Sequence, residues 1–414
     1  MNKIQRLLQE HCPNGVEWKT LGEVFETRNG YTPSKANAEF WTNGTIPWFR
    51  MEDIRANGGV LKESIQYITT QAVKGKGLFE AGSIIMATTA TIGEHALIIA
   101  DSLANQRFTN FKVRKSLNKR LLSKFIYYYF FIIDEWCKRN VNVSNFPSVE
   151  MERLKRQQFP LPPLPVQQEI VRILDKFTTL EAELEAELEA RKKQYEYYRD
   201  NLFTFGDEVE WKPLGEVGTF VRGNGLQKKD LTTSGIPAIH YGQIYTYYGV
   251  SVEQTISFVT PETAKGLKKV DYGDVIITNT SENLEDVGKA VFYSVKEQGV
   301  IGGHATIFQP SKEIIGKYLV YYTQTAEFSN QKRKYAKGTK VIDVSANDLA
   351  KIMIPIPYPN DTEKSLEEQA RIVAILDKFD TLVNSISEGL PKEIALRRKQ
   401  YEYYREQLLS FPKR

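Results

Sequence analysis

Cysteine, histidine and long apolar runs are scarce in this chain. Its 414 residues include two cysteines, Cys12 and Cys137, whose spacing builds neither a disulfide framework nor a paired redox motif. Together with the absence of a signal-peptide pattern, this usage leads us to expect a protein of the reducing cytoplasm. The four histidines, His11, His95, His240 and His304, form no metal-binding pair in sequence. No apolar stretch reaches the roughly 18 residues needed to cross a bilayer, so no membrane partner is expected. The aromatic run Phe125 to Ile133 is too short for that and reads as a core helix.

Marked catalytic motifs are also missing. Pro162-Pro163 is preceded by Leu161 and followed by Leu164, so the Asn/Asp-Pro-Pro-aromatic element that holds a target amine in adenine methyltransferases is absent. Gly288-Lys289 is followed by Ala290 and lacks the earlier glycine of a phosphate-binding loop. No G-x-S-x-G elbow occurs. The expectation is a non-catalytic chain with no cofactor or metal of its own. Two alternatives are an enzyme with a poorly marked site and a coiled-coil scaffold.

What the chain does have is a repeat. Val16-Glu17-Trp18-Lys19-Thr20-Leu21-Gly22-Glu23-Val24 returns as Val209-Glu210-Trp211-Lys212-Pro213-Leu214-Gly215-Glu216-Val217, with eight of nine positions identical. Ile170-Val171-Arg172-Ile173-Leu174-Asp175-Lys176-Phe177 matches Ile372-Val373-Ala374-Ile375-Leu376-Asp377-Lys378-Phe379. Arg191-Lys192-Lys193-Gln194-Tyr195-Glu196-Tyr197-Tyr198-Arg199 recurs as Arg397-Arg398-Lys399-Gln400-Tyr401-Glu402-Tyr403-Tyr404-Arg405. The stretches between these motifs barely align. A fixed frame around divergent interiors suggests one scaffold carrying two recognition surfaces.

Residues 166–204 read as one helix with a heptad seam through Ile170, Leu174, Phe177, Leu184, Leu188, Tyr195, Tyr198 and Leu202. At ~1.5 Å per residue this rod is roughly 55–60 Å long. Pro160, Pro162, Pro163 and Pro165 make a stiff lead-in. The second rod, from about Leu366 to Ser410, has its seam at Ile372, Leu376, Phe379, Val383, Ile386, Leu390, Ile394, Tyr401, Tyr404 and Leu408. It carries four extra residues near Gly389 and Pro391, where a kink or break is expected. The first rod also repeats a four-residue unit, Leu180-Glu181-Ala182-Glu183, Leu184-Glu185-Ala186-Glu187, Leu188-Glu189-Ala190. Four residues add about 6 Å and turn a helix by only about 40°, so a unit can be gained or lost with the buried face nearly kept. The plainer reading is a simple helix-favouring sequence. The net charge is +4 and segment 178–190 holds −5, which leaves +9 for the remainder. That excess is compatible with a nucleic-acid partner.

Residues 15–160 and 208–357 mix short β-like runs, turns and a few helices, the helices at Leu121 to Arg139 and Ile315 to Lys334. Ile84 to Thr88 and Val275 to Thr278 read as equivalent buried strands, as do Ile46-Pro47-Trp48 and Ile236-Pro237-Ala238. The loops carry residue types that read DNA. In the first module these are Arg28, Tyr31, Lys35, Arg50, Thr88, Thr89, Asn105, Gln106 and Arg107. In the second they are Arg222, Asn224, Gln227, Lys228, Lys229, His240, Tyr241, Asn279, Thr280 and Ser281. Lys332-Arg333-Lys334, Lys337 and Lys340 form a basic run suited to phosphate. Taken singly, each of these is ordinary loop polarity.

The duplicated Trp-Lys-x-Leu-Gly-Glu-Val openings, the Pro-Leu-Pro-Pro-Leu-Pro-x-Gln-Gln-Glu-Ile lead-in at 160–170 and the paired rods resemble the specificity subunit of type I restriction-modification systems. The resemblance covers essentially the whole chain. It implies an α+β chain with two globular target recognition domains of mixed strands and helices. Two long helices forming an antiparallel coiled coil would separate them in a pseudo-two-fold internal repeat. The domains would be 1–160, a central helical region 161–206, a second recognition domain 207–360 and a C-terminal helical region 361–414. Each recognition domain would read one half of a bipartite site on double-stranded DNA. Two modification (methyltransferase) subunits and the ATP-dependent restriction subunits would be partners, and S-adenosylmethionine, Mg and ATP would reside on them. In this family, four-residue repeats in the central rod are linked to spacer length. Removing Leu184 to Glu187 is therefore expected to shorten the spacer and leave both half-sites unchanged when the methylated motif is sequenced. An active variant with an unaltered spacer contradicts the ruler reading.

Overall fold

The computed structural model describes residues 3–142, 147–385 and 388–412. The chain divides into two compact units. Unit 1 combines Met1–Ala182 with Leu396–Arg414, and unit 2 is Glu183–Ala395.

In unit 1, a five-stranded sheet runs in the order Val60–Leu61, His95–Ile98, Ile84–Ala87, Phe108–Val113, Phe25–Asn29. Its pairings are antiparallel except that of Val60–Leu61 with His95–Ile98. Ile84–Ala87 lies third of five, which explains a strand buried at every position. Successive side chains point to opposite faces. Ile84 and Met86 join the core beneath helix Ser123–Arg139, with Phe125, Ile126, Phe130 and Ile133. Ile85 and Ala87 join a second core, with Trp48, Phe49 and Phe79. The second core is shared with a three-stranded sheet, Tyr67–Ile68, Ile46–Phe49, Leu103–Ala104. A two-stranded ribbon, Glu17–Thr20 with Gln158–Leu161, pairs the start of the module with its end.

Unit 2 repeats the plan. Its five-stranded sheet is ordered Ser251–Val252, Ala290–Tyr293, Val275–Thr278, Ala305–Pro310, Gly218–Arg222. Ile236–Ile239 pairs in parallel with Gly299–Ile301, as Ile46–Phe49 does with Leu103–Ala104. Val209–Pro213 pairs with Met353–Pro357, so Trp211 faces Pro355 as Trp18 faces Pro160. The expected equivalent strands are thus equivalent in the sheets.

One expected helix is divided. Ile315 to Lys334 forms two helices, Gly316–Tyr322 and Ala326–Tyr335. The Thr325 side chain accepts a hydrogen bond from Phe328 N, so it caps a new start instead of continuing the first helix. In unit 1 the corresponding helix runs unbroken for 17 residues.

The central helix spans Leu164–Leu202. It begins two residues earlier than expected because Pro165 fits a first turn, where its missing N–H costs nothing. From residue 175 to 194 it has no fully buried side chain, so the Leu-Glu-Ala-Glu stretch contributes little to either core. The second rod breaks as expected, into Thr362–Asn384 and Gly389–Leu409. Gly389 has φ +71°, and a Cβ there would lie 2.4 Å from the Thr381 carbonyl oxygen. Glycine is the residue that fits such a close approach. The seam position Ile386 lies outside the described residues.

The duplicated motifs pair by exchange. In unit 1, Phe177 of the first copy stacks on Tyr404 of the second, 5.5 Å between centroids at 28°. Glu181 pairs with Arg398 in the same unit, so the partner number falls as the central-helix number rises, and the helices are antiparallel. In unit 2, Phe379 stacks on Tyr198, at 5.6 Å and 26°.

Two further repeated residues hold each module to its helices. Gln167 is buried. Its amide accepts from Leu122 N at 2.9 Å and donates to the Arg120 and Pro162 carbonyls at 2.7 Å. Gln369 likewise accepts from Ile315 N at 2.9 Å and donates to the Glu313 carbonyl at 2.9 Å. Asp175 accepts from Lys124 at 2.7 Å and the Tyr128 hydroxyl at 2.6 Å. Asp377 is held in the same way by Lys317, at 2.7 Å, and Tyr321. Gln167→Leu should lower the unfolding free energy by about 2–4 kcal/mol, since several backbone groups lose their partner at once. Gln168→Leu, at an exposed neighbouring position, should change it by under about 0.5 kcal/mol. Urea unfolding of both variants checks this.

Candidate nucleic-acid interface

The two sheets end in matching loops. In unit 1, Thr88 N donates to the Arg107 carbonyl at 3.0 Å, Gly30 N to Phe108 O at 2.8 Å, and Phe108 N to Asn105 O at 3.1 Å. In unit 2, Asn279 N donates to His304 O at 2.8 Å, Gly223 N to Ala305 O at 2.9 Å, and Ala305 N to Gly302 O at 3.1 Å. Strand registers agree: Ala87 faces Phe108, and Thr278 faces Ala305. Four positions therefore correspond: Asn29 with Arg222, Arg50 with His240, Thr88 with Asn279, and Arg107 with His304. Arg50 and His240 both begin a helix and donate their backbone N–H to the side chain three residues on, Asp53 or Gln243. Gly30 and Gly223 let the first strand cross close to the turn. A Cβ would lie 2.3 Å from the Ala104 carbonyl oxygen in one, and 2.1 Å from that of Gly302 in the other.

Arg28 and Arg222 are not counterparts. Arg28 is one residue out of step with Arg222, on the opposite face of its strand, with its guanidinium 4.6 Å from the centre of the Phe79 ring. Burial there lowers its pKa. The Tyr31 hydroxyl donates to the Ala72 carbonyl at 3.0 Å and accepts from Lys74 N at 2.8 Å. Thr88 is buried and bonded to the Thr109 hydroxyl at 3.0 Å. Arg50 lies against Trp48, 5.9 Å from the ring centre. Thr89 bridges to Ser148. Lys35 and Arg107 are exposed, and Asn105 accepts from the Arg107 N–H at 3.0 Å, which fixes that turn.

In unit 2, Asn279 is buried and accepts from the Thr306 hydroxyl at 2.6 Å, as Thr88 bonds to Thr109. Asn224 is spent on Gly266 O and Lys268 N. Gln227 starts a short turn that includes Lys228, and both are exposed. His240, Tyr241 and His304 come together, with ring centroids 4.6 and 4.8 Å from Tyr241. The Thr280 hydroxyl pairs with His304 Nδ1 at 2.9 Å. Burial, then His304 and Lys228, lower the His240 pKa, so that ring favours the neutral form. His304 was absent from the DNA-reading set drawn from sequence, as was Asn29. The available signal was position, since each precedes or follows a strand end only once the strands are paired.

The basic run separates into different roles. Lys332 is 4% exposed and donates to Val287 O at 2.7 Å and Glu285 O at 3.3 Å, so it is a core lysine and not a phosphate contact. Lys337 lies 3.2 Å from Asp348, and Lys340 is exposed. Both lie in a tight hairpin closed by mutual backbone bonds between Lys337 and Asp343, and Asp343 pairs with Thr280. The hairpin thus stands beside the His304 cluster. Among the described residues no group of three or more His, Cys, Asp or Glu side chains could hold a metal ion. No described helix is long and apolar enough to cross a membrane.

A family model described as the type I restriction modification DNA specificity domain matches residues 13–190 and again 206–396. The specificity subunit of the type I restriction enzyme EcoprrI from Escherichia coli is 40% identical over 387 residues, covering 90% of each chain. That of EcoR124I/EcoR124II, also from Escherichia coli, is 36% identical over 312 residues, covering 72% of each. A solved chain from work on complex assembly and conformational transition of the type I R-M system superposes with a TM-score of 0.67 at 18% identity, covering 96% of this chain and 98% of that one. The HsdS subunit from Thermoanaerobacter tengcongensis gives a TM-score of 0.51 at 19% identity, covering 96% of both. At these identities the two structures speak for the fold.

Burial pushes the Lys332 pKa down to about 8 from an ordinary 10.5. The folded chain then releases this proton near pH 8 while the unfolded chain holds it to about 10.5. The cost of the buried charge is fully present below pH 8 and relieved as pH rises from there to about 10.5. Relative to Lys332→Met, the native chain should therefore gain thermal stability across that window, as melting temperatures at pH 7, 8, 9 and 10 will show.

Proposed function

The chain belongs to the type I restriction-modification DNA specificity family, and from that premise we propose how its parts divide the work. It is a DNA sequence-specificity subunit with two recognition domains for a bipartite target, and it is not itself an enzyme. It works on DNA with modification and restriction subunits.

The finer assignment is our reading. Residues 1–160 and 207–360 are the two readers, and 161–206 and 361–414 are the helical frame. The observation that carries it is the matched loop edge, where equal backbone positions hold different side chains: Asn29 against Arg222, Arg50 against His240, Thr88 against Asn279, Arg107 against His304. A scaffold without specificity has no use for that divergence. Lys35 and Lys228 are exposed cations on these loops, and Lys337 and Lys340 are exposed cations on the neighbouring hairpin, all suited to phosphate. Thr88, Asn279, Tyr31 and Arg28 support the loops from within, Asn224 ties its loop to Gly266 and Lys268 at the surface, and Thr89, Gln227, Tyr241 and Thr280 flank the readers. Two modification subunits would dock on the frame and supply S-adenosylmethionine, while restriction subunits would supply ATP- and Mg-dependent cleavage. The complex would act in the cytoplasm.

Methylome sequencing of cells expressing the modification partner, with and without this chain, tests the function. One bipartite adenine-methylated motif should disappear when the chain is removed, and an unchanged methylome contradicts the reading. Lys340→Ala should weaken binding equally across DNA sequences and reduce the slope of log affinity against log salt by about 0.9, as expected for one lost phosphate contact. Loss of preference at a single base pair would instead make Lys340 a base reader.

A further inference from the structure

Arg107 and His304 occupy the same place in the two modules, and their backbones are held by the same bonds. Each is the last residue of a turn and immediately precedes the strand that runs through its five-stranded sheet next to the first. Both are exposed. What differs is the side chain and how it is prepared.

The Arg107 guanidinium has no carboxylate or hydrogen-bond partner among the described residues, so its donors remain unspent. Its mount is rigid: the Asn105 side chain fixes the Arg107 N–H at 3.0 Å, and its carbonyl accepts from Thr88 N at 3.0 Å. A planar fork on a rigid turn suits bidentate recognition of guanine O6 and N7. At His304 the ring is held by Thr280 at Nδ1, 2.9 Å, and by Tyr241 at 4.8 Å between centroids. That leaves Nε2 as the one remaining hydrogen-bonding atom of an oriented ring.

Resting on the reading of this chain as a DNA specificity subunit, we infer that Arg107 and His304 are the paired specificity-determining residues, one for each half-site. Arg107 selects a guanine through two hydrogen bonds. His304 selects one base through a single bond, with Thr280 as its positioning residue. The other matched positions carry less of this role. Thr88 and Asn279 are buried in bonds to Thr109 and Thr306, while Arg50 and His240 are partly covered helix starts. Asn29 and Arg222 are turned to their own modules, Asn29 accepting from the Thr109 hydroxyl at 2.9 Å and Arg222 Nε donating to the Gly303 carbonyl at 3.5 Å.

The test is the methylated motif written in cells by the native chain and by Arg107→Ala, His304→Ala and Thr280→Val, each with the modification partner. Melting temperatures of the purified Arg107→Ala and His304→Ala chains should agree with the native one, since both residues are exposed, and the melting curve of Thr280→Val, a buried position, shows whether that chain is folded. Arg107→Ala should lose about 5- to 150-fold of discrimination at one G·C pair in one half-site, and leave the other half intact. His304→Ala should lose about 5-fold at one position of the other half-site, as for one hydrogen bond. Thr280→Val should weaken selection at that same position. A uniform fall in methylation with the motif unchanged would make these residues phosphate contacts and overturn the inference. So would an unchanged motif at full methylation, or relaxation of both half-sites by one variant. If the native chain writes no bipartite motif, the underlying functional reading fails, and that outcome is distinguishable because it precedes any substitution.

Discussion

The stacking of Phe177 on Tyr404 and of Phe379 on Tyr198 is the constraint from which the rest of the fold follows. Each of the two tyrosine-rich stretches closes on the Leu-Asp-Lys-Phe stretch of the other copy. A unit is consequently built from a module, the helix that leaves it and the helix end belonging to the other repeat. That is why unit 1 contains both the early chain and Leu396–Arg414. The tyrosines bring large apolar area to the contact with few torsions to freeze. Burial raises the pKa of Tyr195 and Tyr401 above the usual tyrosine range, as expected for hydroxyls drawn out of water by this packing.

The module then needs only a few fixed attachment points. Gln167 and Gln369 accept from the residue that starts each module helix, and Asp175 and Asp377 receive a lysine from its first turn and a tyrosine one turn further along. Beyond those points the interiors diverge. In unit 1, buried His95 pairs with Asp134, and its Nε2 approaches the Tyr127 carbonyl at 2.8 Å. In unit 2, Ala290 occupies the position of His95 in the strand, and the neighbouring polar group is the buried ammonium of Lys332. Phe131, under the Arg405 guanidinium at 4.2 Å, gives way to Gln324, which accepts from the Tyr195 hydroxyl at 3.3 Å. Different cores are compatible with one frame because the frame does not depend on them.

This division also governs what the sequence makes legible. The motif that carries Asp175 and Asp377 read clearly as a repeat because identical side chains recur, but its hold on the module helices is visible only in the folded chain. The equivalent strands were legible as short apolar runs in equivalent places, and the break beside Gly389 from the four extra residues near a glycine and a proline. The second module helix was misjudged because Thr323 and Thr325 sit in an otherwise helical pattern, and a cap is recognised only by its hydrogen bond. Lys332 was misread as part of a basic surface because charge in sequence carries no mark of burial. Arg28 entered the DNA-reading set by residue type alone, yet a one-residue difference along a strand puts a side chain on its opposite face. His304 became visible as a reader only when its strand was paired and its carbonyl was found in the same bond as that of Arg107.

The central claim is that the frame is common and each module reads alone. Replacing residues 208–357 with a second copy of residues 15–160 tests it most directly, with the methylated motif and a melting curve as readouts. The account predicts a folded chain that directs methylation to a motif whose two halves carry the same bases. A folded chain that still specifies the original second half-site would contradict it.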